Sequence, residues 1–148
     1  MLHATDLHVK LGQVDVLKGV SVSARATELT AIVGPNGSGK TTLLRAITQE
    51  IPYQGRVTMG GEDIAKIPPA DLANLRAVLP QASRIAFPFT VLEIVRLGLL
   101  AGRYGAQSSL PKQALARVGL QGFEGRYYQD LSGGEQQRVQ LARVLAQV

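Results

Sequence analysis

Two stretches of this sequence combine residue types and spacings that suit chemistry. The first is Gly34-Pro35-Asn36-Gly37-Ser38-Gly39-Lys40-Thr41-Thr42, which fits G-x-x-x-x-G-K-[ST], the phosphate-binding P-loop. Glycines let backbone N–H groups approach phosphate oxygens without a Cβ in the way. A helix beginning near Gly39 would aim its free N–H groups and positive dipole end at the same anion. Lys40 would reach the β/γ-phosphates, and Thr41 would offer its hydroxyl to Mg²⁺. The plainer reading is a Gly-rich turn capping a helix, but four fixed positions between a strand and a helix rarely coincide by chance. The second stretch is Leu131-Ser132-Gly133-Gly134-Glu135-Gln136-Gln137-Arg138. Ser132 and Glu135 form an S-x-x-E capping box. Capping alone does not explain two consecutive glycines, since Gly inside a helix costs ~1 kcal/mol relative to Ala. They make sense if something large and anionic must approach the first-turn N–H groups.

The flanking residues supply the elements that would hold these loops. Residues 29–33 are an apolar, partly β-branched run that reads as a buried strand. Leu43, Leu44, Ala46 and Ile47 follow the P-loop with helical spacing. Behind the second motif, Val139, Ala142 and Ala146 make one apolar stripe, broadened by Leu141, Val144, Leu145 and Val148.

Elsewhere, residues 5–11 read as a strand with Leu7, Val9 and Leu11 on one face and His8 and Lys10 on the other. His3 and His8, the only histidines, are an odd number of residues apart, so one continuous strand would point them to opposite faces. That geometry argues against a shared metal site. A second alternating run carries Val20, Val22 and Ala24. Residues 56–59 read as a short strand followed by a Gly60-Gly61 turn. Pro68-Pro69 opens a short helix through Leu75, and residues 77–79 read as another strand stopped by Pro80. Beyond Gln81 the pattern turns helical. Phe87-Pro88-Phe89 is an apolar turn, and Thr90-x-x-Glu93 is a capping box before Val91, Ile94 and Val95. Gly98, Gly102 and Gly105 loosen the chain around Arg103 and Tyr104. Pro111 starts a further helix that Gly119 stops. The expected division is a β-rich core carrying the P-loop over 1–81 and a helical part over 82–148.

Composition narrows the class. With 148 residues, 45% apolar and 18% charged, the chain suits about one globular domain with a real core. No apolar run approaches the ~18 residues of a membrane span. The opening Met1-Leu2-His3-Ala4-Thr5-Asp6 lacks a basic region followed by a long apolar stretch, so no signal peptide is expected. The sequence has no cysteine, which excludes disulfides and Cys-based metal sites within it. The net charge is +5, but the 16 basic residues are scattered and aromatics are few. They read as a solvated surface, and no nucleic-acid partner is expected.

Taken together, the P-loop and Leu131-Ser132-Gly133-Gly134-Glu135 resemble the nucleotide-binding subunits of ABC transporters. The second motif is similar to the family signature at all five positions, and Gln81 stands where the family places its Q-loop glutamine. The resemblance implies an α/β P-loop NTPase fold of ABC type, with a β-rich core and a helical subdomain. It implies ATP and Mg²⁺ as cofactors, and a second copy of the subunit bound head-to-tail with two ATP molecules sandwiched between. Gly34, Pro35, Asn36, Gly37, Ser38, Gly39, Lys40, Thr41 and Thr42 would hold one ATP, Lys40 also acting on the transferred phosphate. Ser132, Gly133 and Gly134 would close on the partner's ATP. Gln81 would touch the metal or attacking water and report nucleotide state to a membrane permease.

Within the superfamily, Val78-Leu79-Pro80-Gln81 and Ala86-Phe87-Pro88-Phe89-Thr90-Val91 are similar to ATPases of bacterial haem importers, in the iron-chelate and vitamin B12 group. That resemblance implies a peripheral protein on the cytoplasmic face of the inner membrane, coupled to permease subunits and indirectly to a periplasmic haem-binding protein. Phe87 and Phe89 either receive the permease or fill a core. Importers of iron–siderophore or vitamin B12, a non-transport ABC protein acting on ribosomes or DNA, and an inert nucleotide-binding module are the alternatives.

Three departures from the family stand out. Leu11 occupies the place of the usual adenine-stacking aromatic, and Thr27 precedes Glu28 where glycine is common. No Walker B run ending in Asp-Glu follows the signature, nor does a switch histidine. The family pattern is therefore expected to be C-terminally incomplete, and the 148 residues are expected to be inactive alone and marginally folded.

Overall fold

The structure, a computed structural model, describes residues 1–80, 85, 87–100 and 109–147. Gln81, Ala86, Gly102, Arg103, Tyr104, Gly105 and Val148 therefore lie outside the described residues. The chain divides into two compact units, Met1–Ile67 and Pro68–Val148.

The first unit is an antiparallel sheet with one helix. Strand β1 spans Leu2–Leu11, β2 Val14–Ala24, β3 Gln54–Met59 and β4 Glu62–Asp63, in the order β2-β1-β3-β4. Gly60 and Gly61 link β3 to β4 with positive φ at both positions, as a primed two-residue hairpin turn requires. Helix α1, Lys40–Ile47, buries Leu43, Ala46 and Ile47 at i, i+3 and i+4, while Leu44 is half exposed. The core joins these to Ala4, Leu7 and Val9 of β1, Leu17 of β2, and Val57 of β3.

Two sequence expectations change here. Strand β1 is not continuous in register: Ala4 faces Val22 and Leu7 faces Val20, so Thr5 and Asp6 together oppose one residue. This bulge, with Asp6 at φ 53°, puts Ala4 and Leu7 on the same buried side. It also leaves both His3 and His8 on the exposed side, against the parity of an unbroken strand. The run 29–33 does not form a strand. Leu29 and Val33 are 98% and 88% exposed, and no described residue pairs with the run. An apolar segment without a neighbouring strand has no ladder to complete, and its β-propensity is not enough on its own.

The second unit is helical. Helix α2 spans Pro69–Leu75, α3 Val91–Leu100, α4 Leu110–Arg117 and α5 Gly133–Gln147. Residues 77–79 form no strand. The core packs Val91, Ile94, Val95 and Leu99 of α3 against Ala114 and Leu115 of α4 and Val139, Ala142 and Ala146 of α5. Leu120, Tyr128 and Leu131 complete it from the connecting segments. Helix α4 ends in a Schellman motif: Leu120 N donates to Leu115 O, Gly119 N to Ala116 O, and Gly119 takes φ 73°. Gly98 allows the close approach of α3 and α5, since a Cβ there would overlap the carbonyl oxygen of Arg143. No helix among the described residues is long and apolar enough to cross a membrane.

Candidate functional site

The P-loop belongs to the first unit. It leaves the unpaired run 29–33, makes one turn closed by Ser38 N donating to Pro35 O at 3.3 Å, and enters α1 through Gly39. Gly39 is the N-cap, at φ 88° and ψ 7°, a left-handed conformation that glycine adopts without strain. A Cβ there would also press on Leu17 and Val16 of β2, at 3.1 and 3.4 Å. No side chain caps α1 and its first turn contains no acid. The first-turn amides therefore have no competing anionic partner from their own helix.

Lys40 is half-buried, and its Nζ donates to Gly34 O at 2.8 Å and Pro35 O at 2.7 Å. These bonds hold the ammonium across the mouth of the loop. A phosphate arriving there would offer the same ammonium an anionic acceptor in place of neutral carbonyl oxygens, adding charge–charge attraction to the bond. Thr41 is exposed beside it. One hydroxyl is a sparse donor set for a cation, but it suits Mg²⁺, which keeps several waters and takes substrate phosphate oxygens. Gln81, expected at this chemistry, lies outside the described residues.

The signature turn belongs to the second unit. A 3-10 turn over Tyr128–Asp130 delivers Leu131, which is 7% exposed and in the core. The capping box then forms as the sequence implied. Ser132 N and Ser132 Oγ donate to Glu135 Oε2 at 2.8 and 2.6 Å, and Glu135 N donates to Ser132 Oγ at 3.4 Å. The Ser132 hydroxyl, and after it the Ser132 amide, hold the Glu135 carboxyl below its usual range, with Arg138 and Arg126 adding to the effect and desolvation opposing it. Arg126 itself lies over the Phe123 ring at 3.9 Å.

Gly133 and Gly134 are the informative residues here. Neither takes positive φ, and a Cβ built on either meets no protein atom within 4 Å. Backbone strain and internal packing therefore leave both positions open to alanine, which a helix prefers. A groove of about 890 Å³ runs beside them, lined by Leu79, Pro80, Tyr128, Gly133, Gly134 and Gln137 among others. Another groove, of about 480 Å³, lies along β1 and β2 near Lys10, Asp15 and Tyr53, and no residue of either motif lines it.

Sequence reasoning missed Gln136 and Gln140. Gln136 Nε2 donates to Tyr128 O at 3.1 Å and Leu131 O at 3.2 Å, and Gln140 Nε2 donates to the Tyr128 hydroxyl at 3.2 Å. The available signal was their i, i+4 spacing around the stripe position Val139, Gln136 lying three residues before it and Gln140 one after.

The Phe87-Pro88-Phe89 turn divides its two rings. Phe87 is 69% exposed, whereas Phe89 packs against the helical core. They meet edge-on, with centroids 6.2 Å apart.

Comparison with known proteins places the chain in a family. Residues 17–148 match the family model described as ABC transporter. The chain is 68% identical over all its 148 residues to the hemin import ATP-binding protein HmuV of Jannaschia sp. (strain CCS1), covering 55% of that protein. It is 57% identical over 147 residues to the protein of the same name from Ruegeria sp. (strain TM1040), covering 99% of the chain and 56% of the relative. The chain thus spans about half the length of these curated relatives. Among solved structures it is similar to MJ1267, an ATP-binding cassette of an ABC transporter in its ADP conformation. There the TM-score is 0.82 at 28% identity, over 99% of this chain and 64% of that one. A bacterial Atm1-family ABC exporter with ATP bound gives the same TM-score and identity over 99% of this chain and 27% of that one. The chain therefore belongs to the ABC transporter family and has the α/β fold of its ATP-binding cassettes.

Proposed function

We propose that this chain is the nucleotide-binding part of an ATPase subunit that drives haem import across the bacterial inner membrane. The observation that carries the nucleotide reading is the pair Gly133 and Gly134, where neither φ nor packing calls for glycine. An anion approaching the first turn of α5 does call for it, because a Cβ there would stand between ligand and amides. The haem reading comes from the names of the relatives, both hemin import ATP-binding proteins.

In this reading residues 1–81 bind ATP and residues 82–148 form the helical part. The N–H groups of Gly34 and of Asn36 through Thr42 cradle the phosphates, Pro35 having none to give, and Lys40 gives up its loop carbonyls for the β/γ-phosphate oxygens. Thr41 and Gln81 hold Mg²⁺, which when bound neutralises charge developing on the phosphates. Gln81 also orients the attacking water. Ser132, Gly133 and Gly134 serve the nucleotide bound by a second copy of the chain. Hydrolysis is an in-line attack of water on the γ-phosphate, promoted by positioning and charge stabilisation. The exposed Phe87 meets a membrane permease on the cytoplasmic face, and a periplasmic haem-binding protein delivers cargo to that permease.

The test is phosphate release by the full-length protein reconstituted with its permease in proteoliposomes. Haem with its binding protein should raise turnover, and ferric siderophore or vitamin B12 should not. Equal stimulation by a siderophore would reject the haem assignment. Co-purification with RNA or DNA in place of a permease would reject transport.

A further inference from the structure

The capping box fixes the bonds among residues 132–135, but it does not fix how that turn is aimed. Its aim depends on the peptide between Leu131 and Ser132, and hence on where the Leu131 carbonyl is held. Leu131 is extended, at φ −84° and ψ 148°, between a 3-10 turn and a helix. Such a junction could pivot about these two torsions.

The structure shows what restrains it. The Gln136 side-chain amide is a planar group with two donors, and both are used inward: one oxygen is Leu131 O at 3.2 Å, the other Tyr128 O at 3.1 Å. Tyr128 is itself fixed from three directions. Its N–H donates to Phe89 O at 2.9 Å, its carbonyl also accepts from Leu131 N at 3.2 Å, and its hydroxyl accepts from Gln140 at 3.2 Å. Gln140 is 6% exposed, a buried amide that would be costly without that partner. Gln136 and Gln140 are one helical turn apart, so a single face of α5 grips both ends of the segment leading into its own N-terminus. Arrays of this kind specify one geometry because each member satisfies another.

We infer that Gln136 is a positioning residue for the signature turn, aiming the first-turn amides of Ser132, Gly133 and Gly134 through the Leu131 carbonyl, with Gln140 holding the Tyr128 support. This rests on the reading that the signature turn serves the partner's nucleotide. A glutamine at 136 does more than favour the helix. Methionine there keeps the length and helix propensity but donates nothing, and glutamate sets a charge against two carbonyl oxygens.

The experiment uses the full-length protein with its permease, comparing Gln136→Met, Gln136→Glu, Gln140→Leu, Gln140→Glu and Ser132→Arg. Three quantities are measured: turnover, ATP affinity of the dilute uncomplexed subunit, and the unfolding temperature. Gln136→Met should lower kcat at least about tenfold, since small misplacements cost that much or more, with subunit ATP affinity within about twofold. Gln136→Glu should be worse. Gln140→Glu can accept from the Tyr128 hydroxyl and should restore most of the turnover that Gln140→Leu loses. Wild-type kcat in Gln136→Met overturns the inference if Ser132→Arg abolishes turnover, and the signature reading then stands. Normal turnover in Ser132→Arg overturns both. A kcat loss that only follows the unfolding temperature across the set reduces Gln136 to a structural role and also overturns the inference.

Discussion

The two glycine-rich loops of this chain, both of which we propose bind anions by the same physics, are supported in opposite ways. The side-chain hydrogen bonds that shape the signature turn come from within about ten residues. Glu135 returns to Ser132, Gln136 returns to Leu131 and Tyr128, and Leu131 is anchored in the helical core. The P-loop has one turn bond of 3.3 Å, a lysine folded onto its carbonyls, and no side-chain cap on α1. The run that leads into it is exposed and unpaired. One loop carries its own scaffold, while the other depends on strands distant in sequence or on the ligand. The P-loop should therefore be ordered chiefly by what binds it, and the signature turn should hold its shape beforehand.

Lys40→Ala gives the largest contrast. In the full-length protein it should abolish ATP binding and turnover, because the charge that exchanges loop carbonyls for phosphate oxygens is lost. Isothermal titration with ATP–Mg²⁺ checks this. Near-normal affinity in the variant would show that backbone amides alone hold the nucleotide, and the contrast between the two loops would narrow.

A smaller effect separates glycines that pack from glycines that admit a ligand. Gly98→Ala drives a Cβ into the Arg143 carbonyl and should cost about 1–3 kcal/mol, the range for overpacking. Gly133→Ala meets no atom and should leave stability unchanged or raise it by up to about 1 kcal/mol, while turnover falls. Thermal unfolding and phosphate release on both variants distinguish them. Full activity in Gly133→Ala would remove the main reason for assigning the second loop to an anion.

What the sequence disclosed follows the same division. Both capping boxes, the Pro111 start, the Gly119 stop and the Gly60-Gly61 turn are decided by residues at most four apart, and each formed where expected. The expected strands at 29–33 and 77–79 were legible as apolar runs but not as structure. A strand is completed by partners, and no local pattern supplies them. The bulge at Asp6 was hidden for another reason. Aspartate tolerates positive φ without announcing it, so alternation along β1 predicted the wrong face for His3 relative to His8. Gln136 and Gln140 were passed over because helical periodicity ranks residues by apolarity, and a buried amide that satisfies carbonyls falls outside that ranking.

The smallest effect concerns protons. Both capping-box carboxylates are held below the ordinary value of 4.5: Glu93 by the Thr90 amide first and its hydroxyl second, Glu135 by the Ser132 hydroxyl first and its amide second. A lowered folded-state pKa means that the bonds contribute fully above the ordinary value and are lost as pH falls through the lowered one. The first turn of α1 carries no acid, so the P-loop amides have no such dependence from their own helix. Amide proton shifts followed from pH 7 downward should therefore show Ser132 and Thr90 titrating with midpoints below 4.5, with Gly39 and Lys40 flat across that window. Glu135→Gln supplies the control. Glutamine completes a capping box without titrating, so the Ser132 transition should vanish while the Thr90 transition remains. A Ser132 midpoint at or above the ordinary value would mean that the Ser132–Glu135 bonds do not persist in solution. The signature turn would then need its ligand as much as the P-loop does, and the contrast between the two loops would fail.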